Sequence, residues 1–231
     1  VQRVFITGTN RGIGLELARQ YAAHGDRVFA ACRRASDALN QLATRDHVTI
    51  IPLEVTEGDS LAHSVETVRL HTDALDIVFN NAAINPEADG VQDFGTFDAN
   101  VLLQIMNVNV VAPMMVAQAY FDLLRGGTNP RLVNISSDMG SLTLHDYGGD
   151  YGYSSSKAAL NMVTRMLAAD LRRHNIITVS LDPGWVQTDM GGRSASLTPQ
   201  ESARGILKVV DSLAQRDSGS YLRWDGGTHP W

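Results

Sequence analysis

The chain has 231 residues, of which 44% are hydrophobic and 19% charged, enough to fill the core of one large α/β domain. Its formal net charge of -6 with scattered arginines excludes nucleic acid as a main partner, since phosphate binding needs a basic surface, and makes anionic membranes unpromising. One cysteine, Cys32, excludes an internal disulfide and fits a reducing compartment.

No stretch approaches the ~20 apolar residues needed to span a bilayer, and the first residues enter a strand without a secretory succession. The expectation is a cytoplasmic chain with no membrane partner. The seven histidines show no metal-binding spacing, so no metal is expected.

In chain order, residues 4–7 read as a short buried strand that runs into a turn bearing Gly8, Gly12 and Gly14, followed by a helical pattern through Leu15, Ala18 and Tyr21. Gly8 permits the tight turn, Gly12 lets backbone approach a pyrophosphate, and Gly14 lets the helix pack closely on the strand. The helix N-terminus adds free N–H groups and a positive dipole end. Strand, glycine turn and helix together point to a dinucleotide site.

A second strand at 28–31 ends at Cys32, where enzymes using NAD place an acid against the ribose 2'-hydroxyl. Arg33 follows it and Arg11 sits in the glycine loop, so two guanidinium groups are available for a 2'-phosphate. This favours NADP(H) over NAD(H). Further strands at 48–53, 77–80, 132–136, 178–182 and 219–224 alternate with longer helical stretches, including one from about 96 to 124 and one beginning near 150. Such alternation builds a doubly wound parallel sheet with ligands at the carboxyl ends of its strands.

The most chemical pattern is Tyr153 followed four residues later by Lys157, a spacing that stacks phenol and ammonium on one helix face. An adjacent cation favours the phenolate and lowers the phenol pKa, which suits a proton donor. Tyr151 competes, but four residues beyond it lies Ser155.

Six motifs stand in order: Thr7 and Gly8 with Gly12 and Gly14, Asn80 through Ala83, Asn109 between valines, Ile135 with Ser136 and Ser137, Tyr153 with Lys157, and Pro183 and Gly184 with Thr188. Covering essentially the whole chain, they resemble the short-chain dehydrogenase/reductase family. The segments after Ser136, from Pro183 to Gly192 and from Trp224 to Trp231 resemble more narrowly its sniffer- and C-factor-like carbonyl reductases.

The resemblance implies a single Rossmann-type catalytic domain over 1–231, with about seven parallel strands in the order 3-2-1-4-5-6-7. It assigns cofactor contacts to Gly8, Asn10, Arg11, Gly12, Ile13, Gly14, Arg33, Glu54, Val55, Asn81, Ala82, Ala83, Tyr153, Lys157, Pro183, Gly184, Val186 and Thr188. Glu54 stands where the family more often has Asp, and Ala83 where it usually has glycine. Four catalytic roles fall on Asn109, Ser137, Tyr153 and Lys157. Tyr153 donates the proton, Lys157 tunes it, Ser137 steadies the developing alkoxide, and Asn109 holds a water that relays protons to Lys157. Adjacent Ser136 competes with Ser137 by position alone; the resemblance selects Ser137.

Met139, Tyr147, Trp185 and Met190 are expected to wall a substrate pocket under a short lid after Thr188, suited to small hydrophobic ketones or aldehydes. Trp185 is equally readable as core. The implied activity is NADP(H)-dependent reduction of a carbonyl, reversible to alcohol oxidation; the alternative is a regulatory or signalling protein that binds cofactor with little turnover. The resemblance implies a homodimer or homotetramer paired through the long helices, whose apolar stripes would equally permit burial inside one subunit.

Overall fold

The computed structural model describes residues 1–86 and 92–231. Seven strands form one parallel sheet: β1 (Arg3–Thr7), β2 (Arg27–Cys32), β3 (Val48–Pro52), β4 (Ile77–Asn80), β5 (Arg131–Ile135), β6 (Ile177–Asp182) and β7 (Tyr221–Arg223). Their order, β3-β2-β1-β4-β5-β6-β7, is the one the resemblance implies, and their bounds match the sequence expectations to within two residues at either end.

The alternation of side chains along each strand separates two cores. Val4, Ile6, Val28, Ala30, Phe79 and Val179 face one side, with Leu17 and Tyr21 of α1 (Gly12–Ala23) and Ile206 and Val210 of α8 (Pro199–Ser212). Phe5, Phe29, Ile51, Val78 and Leu132 face the other. There they meet Leu61 of α3 (Gly58–Arg69), Val116 of α5 (Ala112–Ala119) and Leu123 of α6 (Phe121–Arg125). A two-residue period with both faces buried makes these strands continuous apolar runs. The short α2 (Asp37–Leu42) follows β2.

The helix expected from 96 to 124 is three helical segments and a π turn. α4 (Ala99–Met106) starts where the Asp98 carboxylate accepts from the Asn100 amide at 2.8 Å, a π turn spans Asn107–Val111, and α5 and α6 follow. The expectation that no stretch approaches ~20 apolar residues meets one exception among the described residues. The run Ala99–Ala119 has 21 residues and a mean hydropathy of 1.5, long and apolar enough to cross a bilayer by length and composition. Part of it packs against α7 (Tyr151–Leu171), where Gly152 faces the tips of the Leu102 and Ile105 side chains.

Two asparagines inside the sheet are paired. Asn80 Nδ2 donates to Asn134 Oδ1 at 2.8 Å, and Asn134 Nδ2 to Thr164 Oγ1 at 2.9 Å, stitching β4, β5 and α7. At the amino ends of the strands, Asp76 accepts both the Arg3 guanidinium, at 2.8 and 2.9 Å, and the Thr128 amide at 2.7 Å. Burial pushes the Asp76 carboxyl up, but these bonds outweigh it and hold it below its ordinary value. A carboxyl depressed in the fold contributes stability above its unfolded pKa and loses it as pH falls through the folded value. Asp76→Asn is therefore expected to cost about 2–3 kcal/mol near neutrality, with a penalty that shrinks on acidification, read from urea melts at pH 7 and pH 3.

Candidate active site

The carboxyl ends of the strands open into a cleft of about 1070 Å³. On its β1 side, Gly8 and Gly12 have φ of 73° and 57°, in the left-handed region where glycine is at ease. A Cβ on Gly8 would lie 2.9 Å from the Ala82 Cα, and one on Gly14 would run into the Gly8 carbonyl oxygen. Asn81 braces this turn: its Nδ2 donates to the Thr7 carbonyl at 2.8 Å and the Gly8 carbonyl at 3.2 Å. Thr7 Oγ1 in return accepts the Asn81 and Ala82 amides, each at 3.0 Å.

Asn10, Gly12, Ile13 and Gly14 line the cleft where α1 begins, so the unpaired N–H groups of its first turn face this space. A glycine cradle at a helix N-terminus fits a pyrophosphate. Glu54, Val55, Ala82, Ala83, Pro183, Gly184 and Val186 line the same cleft. Ala83 is not among the residues with positive φ, so alanine takes this position without strain.

Arg11 and Arg33 border the cleft, and both are engaged by acids. Arg11 Nη1 lies 2.6 Å from Asp189 Oδ2, and Arg33 Nη1 lies 3.5 Å from Glu54 Oε2. Glu54 is thus the arginine's counter-ion as well as a cleft residue. Cys32, which precedes Arg33, is buried, and burial pushes its thiol pKa up.

Across the cleft, Tyr153 and Lys157 lie one turn apart on α7, 8% and 2% exposed. Lys157 Nζ sits 5.4 Å from the centre of the Tyr153 ring and donates to the Ile135 carbonyl at 2.9 Å. Burial pushes the Tyr153 phenol well above its ordinary value, against the pull of Ser137 and reinforced by Asp182, Asp138 and Asp150. Burial also lowers Lys157 to about 8, with Asp182 opposing. The expectation that the ammonium brings the phenol down is corrected here: loss of hydration wins, and the tyrosine stays protonated beside a lysine still charged at neutral pH.

Both adjacent serines border the cleft, but their hydroxyls are differently engaged: Ser136 Oγ is buried and donates to Asn161 Oδ1 at 2.7 Å, whereas the Ser137 hydroxyl donates to Asp138 Oδ1 at 3.1 Å at a more exposed position. Asn109 lies in the π turn, 1% exposed and off the cleft lining. Its Oδ1 accepts the Ile84 amide at 2.9 Å, and its Nδ2 donates to the Ile84 carbonyl and to Ser156 Oγ at 2.9 and 3.0 Å. Its side chain locks the loop after β4 onto α7.

Met139, Tyr147, Trp185 and Met190 all border the cleft. Trp185 is exposed and donates its Nε1–H to the Gly191 carbonyl at 2.8 Å, which removes its reading as core. Thr188 Oγ1 accepts the Gly191 amide at 3.1 Å and shapes the lid turn.

Comparison with known proteins places this geometry. Residues 2–197 match the short chain dehydrogenase family. The chain belongs to that family. Over its full length it matches the NADPH-bound carbonyl reductase from chicken fatty liver, at 35% identity and a TM-score of 0.92 with 99% of that chain covered. It matches the carbonyl reductase Sniffer of D. melanogaster at 31% identity and a TM-score of 0.93, each chain covered completely. The C-signal protein of Myxococcus xanthus is 39% identical over 160 residues, 69% of this chain and 95% of that one.

Within this family member, sequence reasoning passed over Gln92. Its Oε1 accepts the Tyr153 amide at 2.9 Å and so caps the first turn of α7, where Asp150 makes no side-chain cap. Nothing local in the sequence marks it, because its partner lies 61 residues away.

Proposed function

We propose that this chain is a single catalytic domain, residues 1–231, that reduces the carbonyl of small hydrophobic ketones or aldehydes with NADPH and, in reverse, oxidises the alcohol. The observation that carries the reading is the buried Tyr153 and Lys157 beside the cleft-facing Ser137. The cofactor, when bound, supplies the hydride. Gly8, Gly12 and Gly14 with the first turn of α1 hold its pyrophosphate, and Arg11 and Arg33 take the 2'-phosphate by exchanging Asp189 and Glu54 for it.

Tyr153 gives its phenolic proton to the carbonyl oxygen, which its protonated state at neutral pH equips it to do. The Ser137 hydroxyl donates to the same oxygen as charge develops. Lys157 stabilises the phenolate left behind. Met139, Tyr147, Trp185 and Met190 form the apolar wall. NADPH oxidation over a panel of aldehydes and ketones tests this reading, and turnover with none of them sinks it. The 39% identity to a protein named C-signal favours a cofactor-reading regulatory protein as second reading; binding of NADPH without turnover would support it.

Removing Arg33 takes away one charge-assisted partner, worth about 1.5–3 kcal/mol. Arg33→Ala is expected to lower kcat/KM for NADPH about ten- to hundredfold while leaving NADH within twofold, which paired kinetics would show. A second copy of the chain is the proposed occupant of the apolar face made by Leu103, Val111 and Met115 on the Ala99–Ala119 run with Met162 and Met166 of α7, all exposed. Light scattering is expected to give a dimer or tetramer, and Leu103→Glu with Met166→Glu a monomer; a monomeric parent would contradict it.

A further inference from the structure

Asp182 ends β6 just before the cleft-lining Pro183 and Gly184, and it carries a partner no motif announces. His229 Nε2 lies 2.8 Å from Asp182 Oδ2, with the two side chains 10% and 8% exposed. The other carboxylate oxygen, Oδ1, accepts the Gly184 amide at 3.0 Å, and Gly184 has a φ of 77°. One carboxylate thus joins the segment around His229 to the turn between β6 and the lid.

The same segment reaches the catalytic serine. The Tyr221 ring lies 4.9 Å from His229 and stacks on Trp231 at 5.3 Å, and its hydroxyl donates to the Ser137 carbonyl. Ser141 Oγ donates to the Pro230 carbonyl at 2.7 Å, and Thr143 Oγ1 to the Trp231 carbonyl at 2.8 Å. The loop bearing Ser137 and the turn bearing Gly184 are therefore tied to one strap of residues, 228–231.

Asp182 also stands close to Lys157 through the sheet: the ammonium holds the Ile135 carbonyl, Ile135 pairs with Leu181 on β6, and Asp182 follows Leu181; its charge opposes burial at Lys157 and bears on Tyr153. Titratable groups around this cluster are Tyr153 on α7, Asp138 after β5, Tyr221 on β7, and Asp182 with His229. On the reading that Lys157 and Tyr153 carry the proton transfer, we propose that Asp182 and His229 form a buried positioning pair that fixes the Gly184 turn and keeps a negative charge near Lys157. Neither residue touches the reacting atoms; both act through groups that do.

The chain has two lysines, Lys157 and the exposed Lys208, so ¹³Cε-lysine NMR follows the Lys157 ammonium as one of two signals, assigned with Lys208→Arg. Asp182→Asn is expected to lower the Lys157 midpoint by at least half a pH unit, about threefold in its proton affinity. Lys208 should stay in place in that variant, and the alkaline limb of the kcat/KM profile should follow Lys157 downward. His229→Leu is expected to weaken NADPH binding about tenfold by fluorescence titration, and His229→Gln, which keeps a donor to Asp182 Oδ2, to recover most of it. An unmoved Lys157 midpoint in folded Asp182→Asn, or unchanged NADPH affinity in His229→Leu, overturns the pair. If Asp182→Asn does not fold, the two His229 variants decide. A parent that turns over no carbonyl defeats the catalytic reading alone, because the lysine titration and NADPH binding need no turnover.

Discussion

Tyr153→Phe is expected to lower kcat for carbonyl reduction by ~10²–10⁴-fold, the usual worth of a positioned proton donor, with the Kd for NADPH changed by less than threefold. The substitution removes one oxygen and leaves the rest of the site standing. The Tyr153 amide still donates to Gln92, the ring still lies 5.4 Å from Lys157 Nζ, and Lys157 keeps the Ile135 carbonyl. Stopped-flow traces and equilibrium NADPH titrations on the same preparation separate chemistry from binding. The pH dependence of the parent follows from the same geometry. Burial keeps the phenol protonated throughout the working range, whereas Lys157, lowered to about 8 by burial, is an ammonium below that pH and neutral above it. Because kcat/KM reports the free enzyme, it is expected to fall as pH rises through about 8, and a profile flat to pH 9.5 would remove Lys157 from the proton-transfer account.

The second large effect is expected from Gly14→Ala. The added methyl would run into the Gly8 carbonyl oxygen and crowd Asn81 Nδ2, the group that braces the turn. The first obstacle is backbone and the second is a side-chain tip pinned by two hydrogen bonds, so the turn itself must shift. Overpacking of this kind costs about 1–3 kcal/mol, and a displaced pyrophosphate cradle is expected to weaken NADPH binding at least tenfold. Gly58→Ala, at the start of α3 with nothing near the new methyl, is the matched control and should leave both quantities unchanged. Denaturant melts with NADPH titrations check both variants.

The fold was legible because its signals are local. Short apolar runs alternating with helical patterns require parallel strands with crossovers, and the spacing of Gly8, Gly12 and Gly14 between a strand and a helix has few other uses. Tyr153 and Lys157 were legible for the same reason, as one turn of helix separates them. The π turn at Asn107–Val111 was not, since its residues pattern like any apolar helix and only the pairing of Asn109 with Ile84 and Ser156 gives it a purpose. The protonation balance was also out of reach. Spacing shows that a cation lies near Tyr153, but how much water each group loses depends on residues remote in sequence. The ties of Arg11 to Asp189, Arg33 to Glu54 and Asp182 to His229 likewise join segments whose meeting only the folded sheet decides.

The most direct test of the account is isotope transfer. Incubation with NADPH carrying deuterium at the transferable nicotinamide position and a small aryl ketone is expected to yield alcohol with one deuterium on the former carbonyl carbon, seen by mass spectrometry, and none with Tyr153→Phe on the same time scale. Undeuterated alcohol, or no alcohol from any carbonyl while NADPH binds, would contradict it.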